Sequence, residues 1–169
     1  MTTIDLRALG LRPGELRRQA IDLELDPFLL GGQRYEAVPS TVPAQLEIAD
    51  VSGGTVFELA FEALLAGPCM RCLAHAEVGL AVRAREFLDP SAGPGDERHS
   101  DYVADDRLDL TAWARDAIAL ELPEQILCRE DCAGLCPVCG KDLNAEPHEH
   151  ADHELDPRWA ALESLRDEL

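Results

Sequence analysis

The sequence predicts an α+β fold with an antiparallel β-rich body, a helix near residues 109–122 and a cysteine-rich C-terminal segment that ends in a further helix. Three observations lead to this prediction. Apolar and polar residues alternate in two long runs, a helical spacing of apolar residues follows residue 108, and cysteines and histidines crowd together after residue 127. Alternation of period two is typical of half-buried strands, whereas spacings of three and four are typical of helices. We assign 1–107 to the body and 108–169 to the C-terminal part, and we expect one compact unit.

The antiparallel sheet is predicted from the middle of the chain. A Ser-Gly-Gly turn at 52–54 separates the runs 44–50 and 55–65, which indicates a hairpin. The apolar residues of the second run fall on one face: Phe57, Leu59, Phe61, Ala63 and Leu65. The run 76–88 alternates in the same way, and residues 21–25 predict a shorter strand. We expect a twisted antiparallel sheet or a small open barrel.

Helices are predicted on both sides of the cysteine-rich part. The first begins at an N-cap formed by Asp109 or Thr111 and ends at Pro123. Its apolar face is expected to carry Leu110, Trp113, Ala117 and Leu120. The last helix begins at Asp156–Pro157, with Asp as N-cap and Pro at the first helical position. Residues 89–107 contain several prolines, glycines and charges and are predicted to form a loop or linker.

The charge of the chain excludes some classes of partner. Its net charge is -18, from 33 acidic and 15 basic residues, which argues against unaided binding to DNA or RNA backbones. A basic partner, such as a ribosomal protein, is favoured instead. Arg71, Arg83 and Arg85 are candidates for local RNA contacts, although surface arginines are more often simply solvated. Residues 1–10 have no signal-peptide pattern and no apolar run is long enough to cross a bilayer, so we expect a cytoplasmic protein without a membrane partner.

The six cysteines form an ordered set. Two lie in the pair Cys69-x2-Cys72, and four lie in the cluster Cys128, Cys132, Cys136 and Cys139. In a reducing compartment such spacing favours a metal site over a disulfide framework. A C-x2-C turn can aim two thiolates at one zinc ion, and Gly140, directly after the last cysteine, can adopt the positive φ that such a turn often needs. The cofactor predicted from this pattern is zinc.

Two histidines extend the set of candidate ligands. His148 and His150 follow Cys139 closely enough to fold back onto the cluster, although an acidic, solvated loop is an equally simple interpretation. The number of metals stays open at this point. The cluster of four cysteines could close one site alone, Cys69 and Cys72 could complete a site with two cluster cysteines and pin the C-terminal part to the sheet, or all eight residues could fill two sites.

A closed set of four ligands indicates a structural metal and not a catalytic one, because no position remains for substrate. The rival hypothesis is a thioredoxin-like redox protein that uses the C-x2-C pair of Cys136 and Cys139. Gly140 and the crowding by the other cysteines favour the metal interpretation. No Gly-rich phosphate loop and no nucleophile–base set is recognisable in the sequence, so we predict that the protein is not an enzyme.

The cysteine cluster lies within a longer pattern. Residues 122–144 read LPEQILCREDCAGLCPVCGKDLN, residues 156–162 read DPRWAAL, and Cys69-Met-Arg-Cys72-Leu follows a predicted strand. Together with the β-rich middle, these residues resemble the YceD-like family, whose members are called large ribosomal RNA subunit accumulation proteins. The resemblance extends from about residue 45 to the C-terminus. Many relatives carry Cys-x-Cys where this chain has His148-x-His150, which strengthens the case for these histidines as ligands.

The resemblance implies a role in ribosome biogenesis. It suggests that the protein supports synthesis, processing or stability of 23S rRNA, and hence assembly of the large ribosomal subunit, in a bacterial or plastid setting. The implied partner is a precursor of the large subunit or a basic ribosomal protein, with an indirect relation to 23S rRNA. A zinc-containing regulator that binds another protein, or a thiol enzyme, is the alternative from the residues alone.

Overall fold

Two long antiparallel strands that meet at the first cysteine pair form the centre of the fold. The computed structural model describes residues 1–93 and 95–150. In chain order the elements are β1 (Thr3–Asp5), α1 (Leu6–Leu9), β2 (Leu16–Glu24), β3 (Phe28–Leu30), β4 (Gln33–Ala37), β5 (Thr41–Val51), β6 (Gly54–Pro68), β7 (His75–Leu88), β8 (Val103–Ala104), β9 (Arg107–Asp109) and α2 (Leu110–Glu121). The α+β class and the antiparallel sheet are confirmed.

The main sheet has the strand order β2-β5-β6-β4-β3, and β7 also pairs with β6. The predicted hairpin joins β5 to β6, and Gly53 in its turn has φ 98°. All pairs in this sheet are antiparallel. The predicted alternation is confirmed, because the five apolar residues expected on one face of β6 are all buried: Phe57, Leu59, Phe61, Ala63 and Leu65. Register is therefore set by one buried face.

The described residues of the predicted loop 89–107 contain more secondary structure than the sequence predicted. They include β8, and β9 begins at the last of them and pairs with β1 to give a small sheet of order β1-β9-β8. Within the loop the Arg98 guanidinium contacts Asp89 and Asp96, each at 2.8 Å. Strands of two and three residues are too short for a periodic sequence signal, so the loop prediction missed them.

Helix α2 begins and ends where the sequence predicted, but its buried face differs. The Asp109 carboxylate accepts from the N–H of Ala112 at 3.0 Å and is the N-cap, whereas Thr111 Oγ1 accepts from the N–H of Thr2 at 2.8 Å. Leu120 was expected on the apolar face, yet it is 87% exposed, and Ile118 is buried instead. At 100° per residue, Ile118 lies about 60° from the middle of the buried face, whereas Leu120 lies about 100° from it.

The buried residues of the main sheet, the small sheet and α2 belong to one hydrophobic core, which also contains Cys69 and Cys132. The hairpin tip between β6 and β7 and the segment after α2 therefore meet at the edge of this core. Among the described residues, no helix has the length and apolar character needed to cross a membrane. The helix predicted from Asp156 lies outside the described residues.

Candidate metal centre

The first cysteine pair lies at the tip of the β6–β7 hairpin. The strands pair as far as Pro68 and His75, and Cys69–Cys72 forms the turn between them. The N–H of Leu73 donates to the Cys69 carbonyl at 3.0 Å, and the N–H of Arg71 points to Cys69 Sγ at 3.4 Å. This arrangement places a backbone donor on the buried sulfur of Cys69.

The segment that follows α2 is held against this tip by the backbone. The N–H of Met70 donates to the carbonyl of Ile126 at 2.9 Å, and the N–H of Ile126 points back to Met70 Sδ at 3.4 Å. Arg71 adds a side-chain clamp, since its Nη1 donates to the carbonyl of Cys132 at 3.0 Å and its Nε donates to Gln125 at 2.9 Å. These contacts place Cys128 and Cys132 opposite the hairpin cysteines.

The first group of candidate ligands therefore joins two distant parts of the chain. Cys69 Sγ lies 3.8 Å from Cys132 Sγ, and Cys72 Sγ lies 3.6 Å from Cys128 Sγ. All four sulfurs lie within 4.8 Å of one another and could contact a single metal ion. Cys69 and Cys132 are buried, whereas Cys128 is on the exposed side. The six cysteines are free, and these distances are far longer than the roughly 2.05 Å bond of a disulfide.

The second group is local and more exposed. Cys136, Cys139, His148 and His150 present four ligand atoms within 4.8 Å of one another. Cys139 Sγ lies 3.1 Å from His148 Nε2. The N–H of Gly140 donates to the Cys136 carbonyl at 2.8 Å, and Gly140 has φ 72°, as the sequence analysis expected. Cys136 is buried, while Cys139 and His150 are exposed.

The orientation of His148 suits a metal ligand. Its Nδ1 donates to the carbonyl of Glu146 at 2.7 Å, and this bond is the largest cause of the raised pKa of His148. With the proton on Nδ1, the lone pair of Nε2 faces the thiol of Cys139. A ring nitrogen fixed by a backbone carbonyl in this way is the usual second contact of a metal-binding histidine.

Two thiols of the first group have pKa values shifted in opposite directions. Burial raises the pKa of Cys69, but N–H donors from Cys72, Arg71 and Cys128 outweigh it and lower that pKa to about 6. The thiol of Cys72, together with burial and the nearby sulfurs, raises the pKa of Cys128 to about 12. Clustered thiolates repel one another, so a divalent cation is the natural way to hold them.

The second group shows the same thiolate-stabilising backbone. The N–H of Cys139 is the largest cause that lowers the pKa of Cys136 to about 6, and the N–H of Val138 and the side chains of Cys139 and His148 act in the same direction. Burial of the sulfur opposes them. A low thiol pKa favours the thiolate, which is the form that binds metals.

Asn144 and Gly134 support the first group, and neither was predicted from the sequence. Asn144 Nδ2 points to Cys132 Sγ at 3.6 Å, and its Oδ1 accepts from the N–H of Ala133 at 2.8 Å. Gly134 has φ 79°, and a Cβ placed there would lie 3.1 Å from the carbonyl oxygen of Arg71. A glycine two residues after a cysteine indicates a close backbone approach only once the position of the hairpin tip is known.

The structure thus brings the eight residues singled out from the sequence into two groups of four. Arg71, considered there as an RNA contact, is engaged within the chain by Gln125 and Cys132. Arg85 lies 3.7 Å from Glu58 on the outer face of the sheet, and Arg83 is also exposed there. Arg85 is therefore paired within the chain, whereas Arg83 is exposed.

The fold and the two groups define a class: a small antiparallel β-sheet protein with a candidate metal-binding module packed at a hairpin tip. A sequence profile described as "Large ribosomal RNA subunit accumulation protein YceD" matches residues 57–166. The chain belongs to the YceD family. This match covers both cysteine groups, most of β6 and all of β7.

Several curated proteins are similar to the chain over most of its length. An uncharacterized protein of Mycobacterium tuberculosis is 33% identical over 165 residues, which is 95% of this chain and 79% of the relative. An uncharacterized protein of Mycobacterium leprae is 29% identical over 95% of this chain and 76% of its own. YlbN of Bacillus subtilis, also uncharacterized, is 31% identical over 75% of this chain and 74% of its own. No solved structure matches significantly.

Proposed function

We propose that this protein is a non-catalytic ribosome-biogenesis factor that supports synthesis, processing or stability of 23S rRNA and assembly of the large subunit in the bacterial cytoplasm. The observation that carries the proposal is the family match over residues 57–166, whose description names accumulation of large-subunit ribosomal RNA. The net charge of -18 supports contact through a basic ribosomal protein or a precursor particle, with 23S rRNA affected indirectly.

We propose further that both groups hold structural zinc. Around a zinc ion bound tetrahedrally by thiolates at about 2.3 Å, neighbouring sulfurs lie about 3.8 Å apart. The sulfur pairs of the first group, at 3.8 and 3.6 Å, support this assignment. In the second group two thiolates and two imidazoles make up an equally common zinc ligand set.

In this proposal each metal ion has a structural role and holds segments of the chain together. The first ion would tie the β6–β7 hairpin tip to the segment after α2, so that the predicted parts 1–107 and 108–169 work as one unit. The second ion would order the short stretch from Cys136 to His150. Four protein donors complete each tetrahedral shell, so the chemistry of the donor set supports a structural role.

A thiol or redox enzyme is the second candidate, because the pKa values of Cys69 and Cys136 lie near 6. A reactive thiolate must also be reachable, whereas Cys69 is 0% exposed and Cys136 is 5% exposed. Thiol titration with and without a chelator separates the candidates. Protection of all six thiols until zinc is removed supports a structural metal, whereas one thiol that reacts rapidly in the zinc-loaded protein supports the enzyme.

The proposed function is tested in the organism that carries the gene. Depletion is expected to lower the ratio of 23S to 16S rRNA and to increase immature large-subunit particles in a sucrose gradient. The tagged protein is expected to co-sediment with those particles. Re-expression of the wild-type chain, or of a variant altered only at the exposed loop residue Glu97 (Glu97→Gln), should restore the ratio. An unchanged ratio together with a protein found only in fractions free of ribosomal particles would contradict the proposal.

A further inference from the structure

The outer face of the main sheet, opposite the core, divides into two halves with different charge balance. In one half, Arg18, Glu47, Glu58 and Arg85 form one row across four strands. Arg18 lies 2.8 Å from Glu47, and Arg85 lies 3.7 Å from Glu58. The charges of this half are matched within the chain.

The other half carries an apolar depression, which we call the outer trough. It has a volume of about 560 Å³ and is lined mainly by Val38, Pro43, Leu64, Gly79 and Ala81, with the carboxylate-bearing Glu62 among its lining residues. Val38 is 52% exposed and Leu64 is 36% exposed, although both are aliphatic. A neighbouring depression that shares Pro43 and Ala81 continues the outer trough toward Arg83.

Gly79 lies in the outer trough, and no contact among the described residues requires a glycine there. A Cβ at Gly54 or Gly67 would lie 2.2 Å from Leu88 O or 2.3 Å from the Tyr35 ring, so packing requires those two glycines. A Cβ at Gly79 would meet nothing within 4 Å, and no positive φ requires glycine there. Glycine inside a strand weakens the strand and often marks the close approach of another molecule.

Unmatched carboxylates surround the outer trough. Asp22 faces Pro43 across β2 and β5, and Glu62 faces Ala81 across β6 and β7. Neither carboxylate lies within salt-bridge distance of a cation among residues 1–93 and 95–150, in contrast to the matched row in the other half. A largely apolar depression that contains the carboxylate of Glu62, with Asp22 beside it, complements a cationic segment that carries an apolar anchor, and it repels a phosphate backbone.

We propose that the outer trough docks a Lys/Arg-rich protein segment whose aliphatic side chains rest on Gly79 and Ala81 between Val38 and Leu64. The cationic side chains of that segment pair with Asp22 and Glu62. This inference rests on the proposed function for its biological setting, where it specifies the kind of surface that the factor recognises on a ribosomal protein. The docking itself can be measured with the purified chain.

The probe is a short, fluorescent, synthetic peptide of Lys and Arg with a central Leu-Leu pair, titrated into the full-length, zinc-loaded chain. Binding is followed by anisotropy, and the site is mapped by amide chemical shifts. We expect shifts centred on Leu64, Gly79 and Ala81. Replacing the Leu pair by Ser should weaken binding by at least about tenfold, because charge alone is a weak, salt-screened attraction. Equal binding of the Ser peptide would overturn the proposal.

Filling the outer trough tests the same surface from the protein side. The double variant Gly79→Val/Ala81→Val adds β-branched side chains where space is open, so it should keep its thermal midpoint and zinc content. We expect it to bind the peptide at least about tenfold more weakly. The matched control Ala104→Val makes the same kind of change at an exposed position of β8 and should bind as the wild type does. Unchanged binding by the filled variant would overturn the proposal.

The charge contribution has its own pair of variants. Asp22→Asn/Glu62→Gln should weaken binding, whereas Glu97→Gln/Asp101→Asn, which removes as much charge from an exposed loop, should not. Equal losses in both pairs would show nonspecific attraction and refute the docking site. Three other occupants of the outer trough would also refute the proposal. They are the chain's own C-terminal segment, seen as contacts between Trp159 and Leu64 in the unliganded chain; a second copy of the chain, seen as self-association that the filled variant abolishes; and RNA, seen as an oligonucleotide that shifts the same amides.

The failure of this inference and that of the proposed function are distinguishable. A filled variant that still co-sediments with large-subunit precursors would remove the outer trough as the docking surface but leave the assembly role standing. The opposite outcome would be a wild-type chain that binds the peptide at the outer trough but never associates with precursors, and whose depletion leaves 23S rRNA unchanged. That result would refute the assembly role and leave the docking surface standing.

Discussion

Gly134 gives the sharpest test of the junction between the two candidate metal groups, because Gly140 provides a matched control. Both residues have a positive φ, 79° and 72° respectively. Alanine at either position pays the cost of the left-handed region, about 1 kcal/mol. Only at Gly134 would the new Cβ also press on a neighbour, with the carbonyl oxygen of Arg71 at 3.1 Å. At Gly140 nothing lies within 4 Å.

The additional cost at Gly134 follows from what Arg71 does. Its carbonyl accepts from the N–H of Leu135 at 3.1 Å, and its guanidinium holds the carbonyl of Cys132 at 3.0 Å. Moving this backbone to relieve the contact weakens at least one of these bonds, which adds about 1 kcal/mol. We therefore expect Gly134→Ala to lower the free energy of unfolding by about 2 kcal/mol and Gly140→Ala by about 1 kcal/mol.

The assay is urea unfolding of the zinc-loaded variants, followed by circular dichroism, with the rate of zinc release to a chromogenic chelator as a second readout. Gly134→Ala should release zinc from both groups faster, since it lies between them. Gly140→Ala should affect the second group alone. If the two variants lose the same stability, or if Gly134→Ala is neutral, the close approach of Gly134 to Arg71 is not part of the folded state.

Three further predictions concern single side chains. If each group of four holds one zinc ion, Cys132→Ser should reduce bound zinc from two ions to one and loosen the hairpin tip, whereas Cys139→Ser should remove only the ion of the second group. Mass spectrometry under native conditions counts the ions. Equal structural effects of the two variants would contradict the assignment of the ligands to two groups. Arg71→Lys should lower the free energy of unfolding in urea by about 1–2 kcal/mol, because one ammonium cannot donate to both Gln125 and the carbonyl of Cys132. An unchanged midpoint would show that the hydrogen bonds of Arg71 do not stabilise the junction. The hydrogen bonds from Ser91, with help from Arg98, lower the pKa of Asp89 in the folded state. The ionised Asp89 carboxylate therefore stabilises the fold above about pH 4, and this stabilisation is lost as the pH falls through the lowered pKa. We expect the free energy of unfolding of Asp89→Asn to change less with pH in that range than that of the wild type.

Local signals in the sequence determined the long strands of the main sheet and helix α2. The alternation along β6 and β7 predicted their buried faces because side chains point to opposite sides of a strand at every step. The capping carboxylate of Asp109 and the proline after Leu122 bounded α2 for equally local reasons. The C-x2-C spacing identified Cys69 with Cys72, and Cys136 with Cys139, as candidate ligand pairs, because a tight turn is enough to aim two sulfurs at one point.

Only the tertiary structure decided how these pieces combine. It joined Cys69 and Cys72 to Cys128 and Cys132, a pairing that depends on the backbone contacts of Met70 with Ile126 and that spacing along the chain left open. It also turned Leu120 to solvent and recruited Arg71 as an internal clamp. The reason is the same in each case: contacts between residues far apart in the chain depend on how packed elements meet, and a periodic pattern reports only which side of one element is buried.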